Sequence, residues 1–160
     1  MAMTNEALQQ TILSWFPDPE FPQPQFSEEG SQYLTINVEG EQLHELMQLL
    51  KNNPETHFDY LFCLTGVDDG KELGVVYHLE STVHRHILVV KVQTKDREKP
   101  ILDSVQHIWA TANFHEREVY DFFGITFRNH PNMKRLFLTE DWEGYPLRKD
   151  YVDEQNMVVK

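Results

Sequence analysis

The sequence predicts an α+β domain: a mixed, mainly antiparallel sheet of about four strands with helices packed on it, followed by an extended irregular C-terminal tail. Three observations predict this. Apolar residues alternate with period two over 32–38, 73–79 and 86–92, as in half-buried strands. They recur at helical spacing over 41–51 and again over 101–123. After Phe127 the periodicity fades, although large apolar side chains continue.

In chain order, Asn5 can cap a first helix that carries Leu8, Ile12, Trp15 and Phe16 on or near one side. Pro17, Pro19, Pro22 and Pro24 follow and predict an extended linker, which would leave the first helix a mobile appendage. Gln32 to Val38 reads as a strand with Leu34, Ile36 and Val38 on one face, broken at Gly40. Glu41 to Lys51 is an amphipathic helix through Leu43, Leu46, Met47 and Leu50, stopped by Asn52-Asn53-Pro54. Phe58 to Val67 is apolar enough for a central strand, and Asp68-Asp69-Gly70-Lys71 is a turn. Leu73 to Leu79 and His86 to Val92 complete an antiparallel meander, which the strand at 32–38 joins through a helical crossover. Pro100 suits a helix first turn, with Ile101, Val105, Ile108, Trp109 and Ala112 as its stripe. A second helix or bent continuation runs to Phe123, Gly124 ends it, and Ile125 to Phe127 is a short strand. The implied organisation is a helix and Pro-rich linker over 1–27, an α+β core over 28–127 and a C-terminal segment over 128–160.

Length and apolar content suit one soluble globular core. No apolar run approaches the about 20 residues of a membrane span, and the N-terminus lacks a signal-like apolar region. The one cysteine, Cys63, reads as a buried structural thiol in a reducing compartment. A formal net charge of −12 argues against nucleic acid. Residues 128–150, by contrast, carry Arg128, Lys134, Arg135, Arg148 and Lys149 against four acids. The large apolar side chains there (Leu136, Phe137, Leu138, Trp142, Tyr145, Leu147, Tyr151) need cover from this domain or from a partner.

Catalytic readings are poorly supported. His84 and His86 alternate on a strand without a third ligand. His115, Glu116, Glu118, Asp121 and His130 resemble a ligand set, but Glu116 and Glu118 point to different helix faces and the spacing is not His-Glu-x-x-His. There is no glycine-rich phosphate loop and no cysteine cluster. The triplet Glu116-Arg117-Glu118 sits on a helix apolar nearly all round, so an enclosed Arg117 should pair with Asp121, four residues on, or with a nearby Glu.

The run Glu116-Arg117-Glu118-Val119-Tyr120-Asp121-Phe122-Phe123-Gly124-Ile125, then His130-Pro131 and Lys134-Arg135-Leu136, resembles the signature of the 30-kilodalton subunit family of respiratory complex I. Asp141-Trp142-Glu143-Gly144 and Pro146-Leu147-Arg148-Lys149-Asp150-Tyr151 resemble its closing motif. The likeness covers about residues 31–151. Phe114 stands where the family usually has Trp, Asn129 replaces a common Gly, Phe137 an aliphatic residue and Val152 a frequent Pro. The resemblance implies a non-catalytic structural subunit of the hydrophilic arm of a proton-pumping NADH:quinone oxidoreductase, on the cytoplasmic side of the membrane and peripheral to it. It implies no cofactor of its own, partners carrying FMN and iron–sulfur clusters, and docking on the quinone-site large subunit (the D subunit). The signature positions Glu116, Arg117, Glu118, Tyr120, Asp121, Gly124, His130, Pro131, Arg135, Trp142, Pro146, Arg148, Lys149, Asp150 and Tyr151 would serve that docking. Alternatives are the equivalent subunit of a membrane-bound hydrogenase or other dehydrogenase, and a free-standing metal-dependent enzyme.

Overall fold

The computed structural model describes residues 4–20, 23–27 and 33–152. Its elements are α1 (Asn5–Leu13), β1 (Gln25–Ser27), β2 (Leu34–Glu39), α2 (Gly40–Asn52), β3 (Tyr60–Asp68), β4 (Leu73–Ser81), β5 (His86–Thr94), β6 (Ile101–Asp103), α3 (Ala112–Phe123) and β7 (Thr126–Arg128). The fold is α+β, with a mixed, mostly antiparallel sheet of five strands in the order β1-β2-β5-β4-β3 and a small parallel pair, β6-β7. β3, β4 and β5 form the expected antiparallel meander. β2 joins β5 in parallel, which its helical crossover permits.

One sheet face is the core. Leu34 and Ile36, Leu73, Val75, Tyr77 and Leu79, and Leu88, Val90 and Val92 alternate onto it. α2 adds Leu43, Leu46, Met47 and Leu50, and α3 adds Ala112 and Val119. Lys91 and Gln93 of β5 point the other way and are exposed.

The structure departs from expectation in five places. Thr4, not Asn5, caps α1: its Oγ1 accepts the Ala7 N–H at 3.1 Å. α1 is no appendage, since Leu8 and Ile12 lie in the core cluster. Part of the expected linker, Gln25–Ser27, is strand β1, antiparallel to β2. β3 is an edge strand rather than a central one, because its hydrophobicity serves two sides. Leu61 and Leu64 face the core, whereas Tyr60, Phe62 and Val67 are 46%, 38% and 39% exposed, and Cys63 is half-buried. Finally, Ile101–Asp103 is strand β6, not helix. Its partner β7 lies 25 residues away, and flanking bonds Thr126 N–H to Pro100 O and Ser104 N–H to Arg128 O, both 2.9 Å, fix the register.

Candidate partner-docking site

The signature residues converge on α3 and the tail that follows it. α3 ends at Gly124, where φ is 77° and the Gly124 N–H returns to the Tyr120 carbonyl at 2.8 Å. A Cβ at Gly124 would stand 2.6 Å from the Tyr145 ring and 2.8 Å from Arg148 Nη2, so the position requires glycine for conformation and for space. The tail therefore crosses directly over the helix end.

Asp121 holds it there. Its side chain is fully buried, and Oδ2 accepts the backbone N–H groups of Leu136, Phe137 and Leu138 at 3.2, 2.7 and 3.0 Å. Arg135 Nη1 donates to Asp121 Oδ1 at 3.1 Å and to the Asp121 carbonyl at 3.0 Å. Arg135 Nη2 spans to the carbonyls of Trp142 and Gly144, at 3.1 and 3.0 Å, and the guanidinium lies over the Tyr145 ring, 5.1 Å from its centroid. One arginine thus ties α3 to two turns of the tail. Burial by itself would raise the Asp121 carboxyl, but the donors from Phe137, Leu138, Arg135 and Leu136 outweigh it and hold the group below its usual range.

The expected Arg117–Asp121 pair does not form. Arg117 donates instead to the carbonyls of Lys134 and Arg135, each at 3.1 Å, and so clamps the tail backbone from the adjoining face. Asp121 is taken by Arg135, which comes from the tail together with the N–H groups of Leu136, Phe137 and Leu138 that the same carboxylate accepts.

A second anchor lies at the far end of β3. Arg97 grips the carboxylate of Asp68 with two bonds, 2.7 and 2.9 Å, and Asp68 Oδ2 also accepts the Lys149 N–H at 2.9 Å. Arg97 reaches Asp150 at 3.3 Å. The Arg97 guanidinium holds the Asp68 carboxyl well below the carboxylate range, against the opposing effect of burial. Between the two anchors, Arg148 Nε donates to the Phe123 carbonyl at 2.6 Å and its guanidinium covers Tyr145 from 5.0 Å. The Leu147 N–H donates to the Phe122 carbonyl at 3.0 Å, and Phe137 stacks on Phe122 with centroids 5.7 Å apart. Tyr151 packs over Gly144, Tyr120 meets Tyr145 edge-on at 6.2 Å, and Pro146 is half-buried. The Trp142 indole N–H is buried with no acceptor among the described residues.

Glu116 looks inward. It is fully buried, taking the Ser104 hydroxyl at 2.5 Å and the Val105 N–H at 3.0 Å, and so fastens the turns after β6 to α3. Burial pushes its carboxyl up to about 7, the two donors opposing. The same charge, after burial itself, raises the buried Tyr77 phenol, whose hydroxyl has no hydrogen-bond partner among the described residues. Glu118 is exposed on another face, and Pro131 and Lys149 are exposed too. His130 bonds the Asn113 carbonyl through Nε2 at 3.1 Å and accepts the Asn132 N–H on Nδ1 at 2.9 Å. His115, Glu116, Glu118 and His130 do not converge, and no group of three or more His, Cys, Asp or Glu among the described residues could hold a metal. His84 bonds the Pro54 carbonyl while His86 meets Phe58 edge-on.

The outward face mixes charge with large apolar side chains, Lys134, Glu140, Asp141, Glu143 and Lys149 being exposed there as well. Phe137 is 65% exposed, Leu147 55% and Phe114 63%. Leu147 borders a shallow cleft of about 140 Å³ with Leu64, Gly66, Val119, Phe122 and Phe123. The sequence missed Arg97, Asp68 and Tyr145 as organisers. Asp68 read as a turn residue and Arg97 carried no assignment; their pairing spans 29 residues, and no local pattern signals it.

The relatives supply the class. The C/D subunit of an NADH-quinone oxidoreductase from Phocaeicola vulgatus is 55% identical over 122 residues, covering 76% of this chain. The chain spans only 23% of that relative's length. The C subunit of the same kind of enzyme from Roseiflexus castenholzii is 37% identical over 153 residues, 94% of this chain and 85% of the relative. Among solved structures, a trypsin-resistant fragment (1–134) of Nqo5 superposes with a TM-score of 0.67 at 27% identity, covering 81% of this chain and 99% of that one. One polypeptide of an archaeal membrane-bound sulfane sulfur reductase, a respiratory membrane complex, superposes with a TM-score of 0.76 at 26% identity, covering 94% and 86%. Fold, site and relatives together define a subunit of a complex I-like assembly. Residues 36–156 match the respiratory-chain NADH dehydrogenase, 30 Kd subunit, and the chain belongs to that family. No helix of the described residues is long and apolar enough to cross a membrane.

Proposed function

We propose that the chain is a structural subunit of the hydrophilic arm of a proton-pumping NADH:quinone oxidoreductase, seated on the quinone-site large subunit (the D subunit). The observation that carries this reading is the tail: two acid–arginine anchors with enclosed carboxylates fix its backbone while Phe137 and Leu147 are held outward. An ordered segment that exposes large apolar side chains suits an interface better than solvent. The fusion named in the C/D relatives supports the D portion as the partner, since a shared polypeptide keeps two portions at high effective concentration. In this reading the chain binds no cofactor, and FMN and iron–sulfur clusters belong to its partners. It holds the redox subunits in register at the cytoplasmic side of the membrane, peripheral to it.

Limited trypsinolysis tests the reading. Cleavage at Lys134, Arg148 and Lys149 should slow when the large subunit is added to the full chain. Equal cleavage with and without that partner would refute the docking. A second reading, the equivalent subunit of a related membrane-bound complex such as a hydrogenase, draws support from the sulfane reductase likeness, which extends over 94% of the chain. Mass spectrometry of partners retained from native membranes separates the two: flavin-bearing NADH-oxidising subunits favour the first, their consistent absence the second.

A further inference from the structure

His44 stands on α2 and His107 in the turns between β6 and α3. Their Nε2 atoms lie 2.6 Å apart, with ring centroids 4.8 Å apart and planes within 25°. That centroid separation is close to the nitrogen–nitrogen distance plus one ring radius on each side. The near-parallel rings therefore meet nitrogen to nitrogen, not face on face. Two bare lone pairs would repel at this distance, so one ring carries a proton that bridges to the other as N–H···N.

A lone pair that accepts such a proton is also a metal ligand. The two backbones are well held. Leu43 and Met47 flank His44 in the core stripe, and Ile108 and Trp109 beside His107 are buried. Trp109 Nε1 donates to the Phe58 carbonyl at 3.0 Å, and Lys51 Nζ donates to the Ile108 carbonyl. The imidazoles themselves remain accessible, His44 half-buried and His107 exposed.

We infer that His44 and His107 form a bidentate site for a borderline divalent cation of the zinc, nickel or copper kind, taken up in place of the bridging proton. A tetrahedral zinc bonded at about 2.0–2.1 Å to each nitrogen holds the pair about 3.3 Å apart, so the nitrogens must part by about 0.7 Å from their present 2.6 Å and each ring must swing by about 35° to turn its lone pair onto the ion. Rotation about the side-chain bonds of the exposed His107 and the half-buried His44 is the motion this requires. Imidazole nitrogens select these ions over calcium and magnesium, which require oxygen. No third His, Cys, Asp or Glu among the described residues joins the pair, so water completes an open coordination sphere. Because the ligands come from α2 and from the turns before α3, the ion cross-links two elements that are apart in the unfolded chain. It therefore stabilises the folded state selectively.

The test uses the full chain without a histidine tag, stripped with chelator and titrated with Zn²⁺ or Ni²⁺. One ion per chain should bind and raise Tm at pH 7.5, and Ca²⁺ should leave Tm unchanged. His44→Gln and His107→Gln should each weaken binding at least tenfold, whereas His84→Gln should not. Equal Tm shifts in wild type and both variants would assign the metal to other histidines and overturn the proposal. Should a variant fail to fold, the electron paramagnetic resonance of Cu²⁺ on the wild type decides: two coupled imidazole nitrogens are expected, and one or none overturns the site.

Discussion

Replacing Asp121 by Ala should release the tail, and the structure gives the size of the effect. The carboxylate is fully buried and takes four donors besides the contact at its own carbonyl: the N–H groups of Leu136, Phe137 and Leu138, and Arg135 Nη1. The Arg135 side chain is 11% exposed, so truncation strands an arginine that water reaches poorly. Breaking a buried pair from one side costs about 3–5 kcal/mol. Asp121→Asn keeps the shape and part of the hydrogen bonding but loses the charge, and should cost about 1.5–3 kcal/mol, the worth of charge-assisted bonds. Urea unfolding followed by circular dichroism gives the global cost. Trypsin cleavage at Lys134 and Arg148 reports on the tail separately. The double mutant with Arg135→Ala should cost less than the sum of the two single changes, because their mutual pair is counted once, while the N–H groups of Leu136, Phe137 and Leu138 remain without that acceptor. An Asp121→Ala protein within about 0.5 kcal/mol of wild type, with its tail cleaved no faster, would show that the carboxylate does not anchor the tail.

Three further outcomes follow from the same contacts. Glu116 has its carboxyl raised from 4.5 to about 7, so its favourable contribution is complete below the unfolded value and is lost as pH rises through about 7. Stability should fall by about 3 kcal/mol on this account between pH 4.5 and 8, and Glu116→Gln should flatten the slope in urea midpoints measured across that range. Gly124→Ala adds a left-handed alanine and an overlap with Tyr145, and should cost about 2–4 kcal/mol, read as a lower Tm. Arg117→Ala loses two bonds to carbonyls but leaves no buried carboxylate behind, so it should cost about 1.5–3 kcal/mol, less than Asp121→Ala in the same urea assay.

Family and core were legible because they rest on local regularities. The alternation of Leu73, Val75, Tyr77 and Leu79 and the stripe Leu43, Leu46, Met47, Leu50 each specify an element and its buried face without reference to anything distant. The signature from Glu116 to Tyr151 was recognisable as a string, but its wiring was not. Arg117 and Asp121 lie one helical turn apart, and proximity along the helix predicts a pair that the fold does not make. The stretch 101–112 carried a helix-like stripe because Val105, Ile108 and Trp109 are buried through the turns that follow β6, which imitate that spacing.

The amino-acid sequence by itself determined the α+β class, the order of the main strands and helices, the end of α3 at Gly124 and membership of the 30 Kd subunit family. These depend on periodicity, on a backbone conformation that glycine adopts freely, and on a long specific string. The tertiary structure alone decided that β3 is an edge, that β6 pairs with β7, that Arg135 rather than Arg117 takes Asp121, and that Arg97 and Asp68 fasten the far end of the tail. Each of those outcomes is a competition among partners brought together from distant positions. Burial settles it, because inside the fold a charge must find its counter-charge and every backbone donor an acceptor, wherever in the chain they lie.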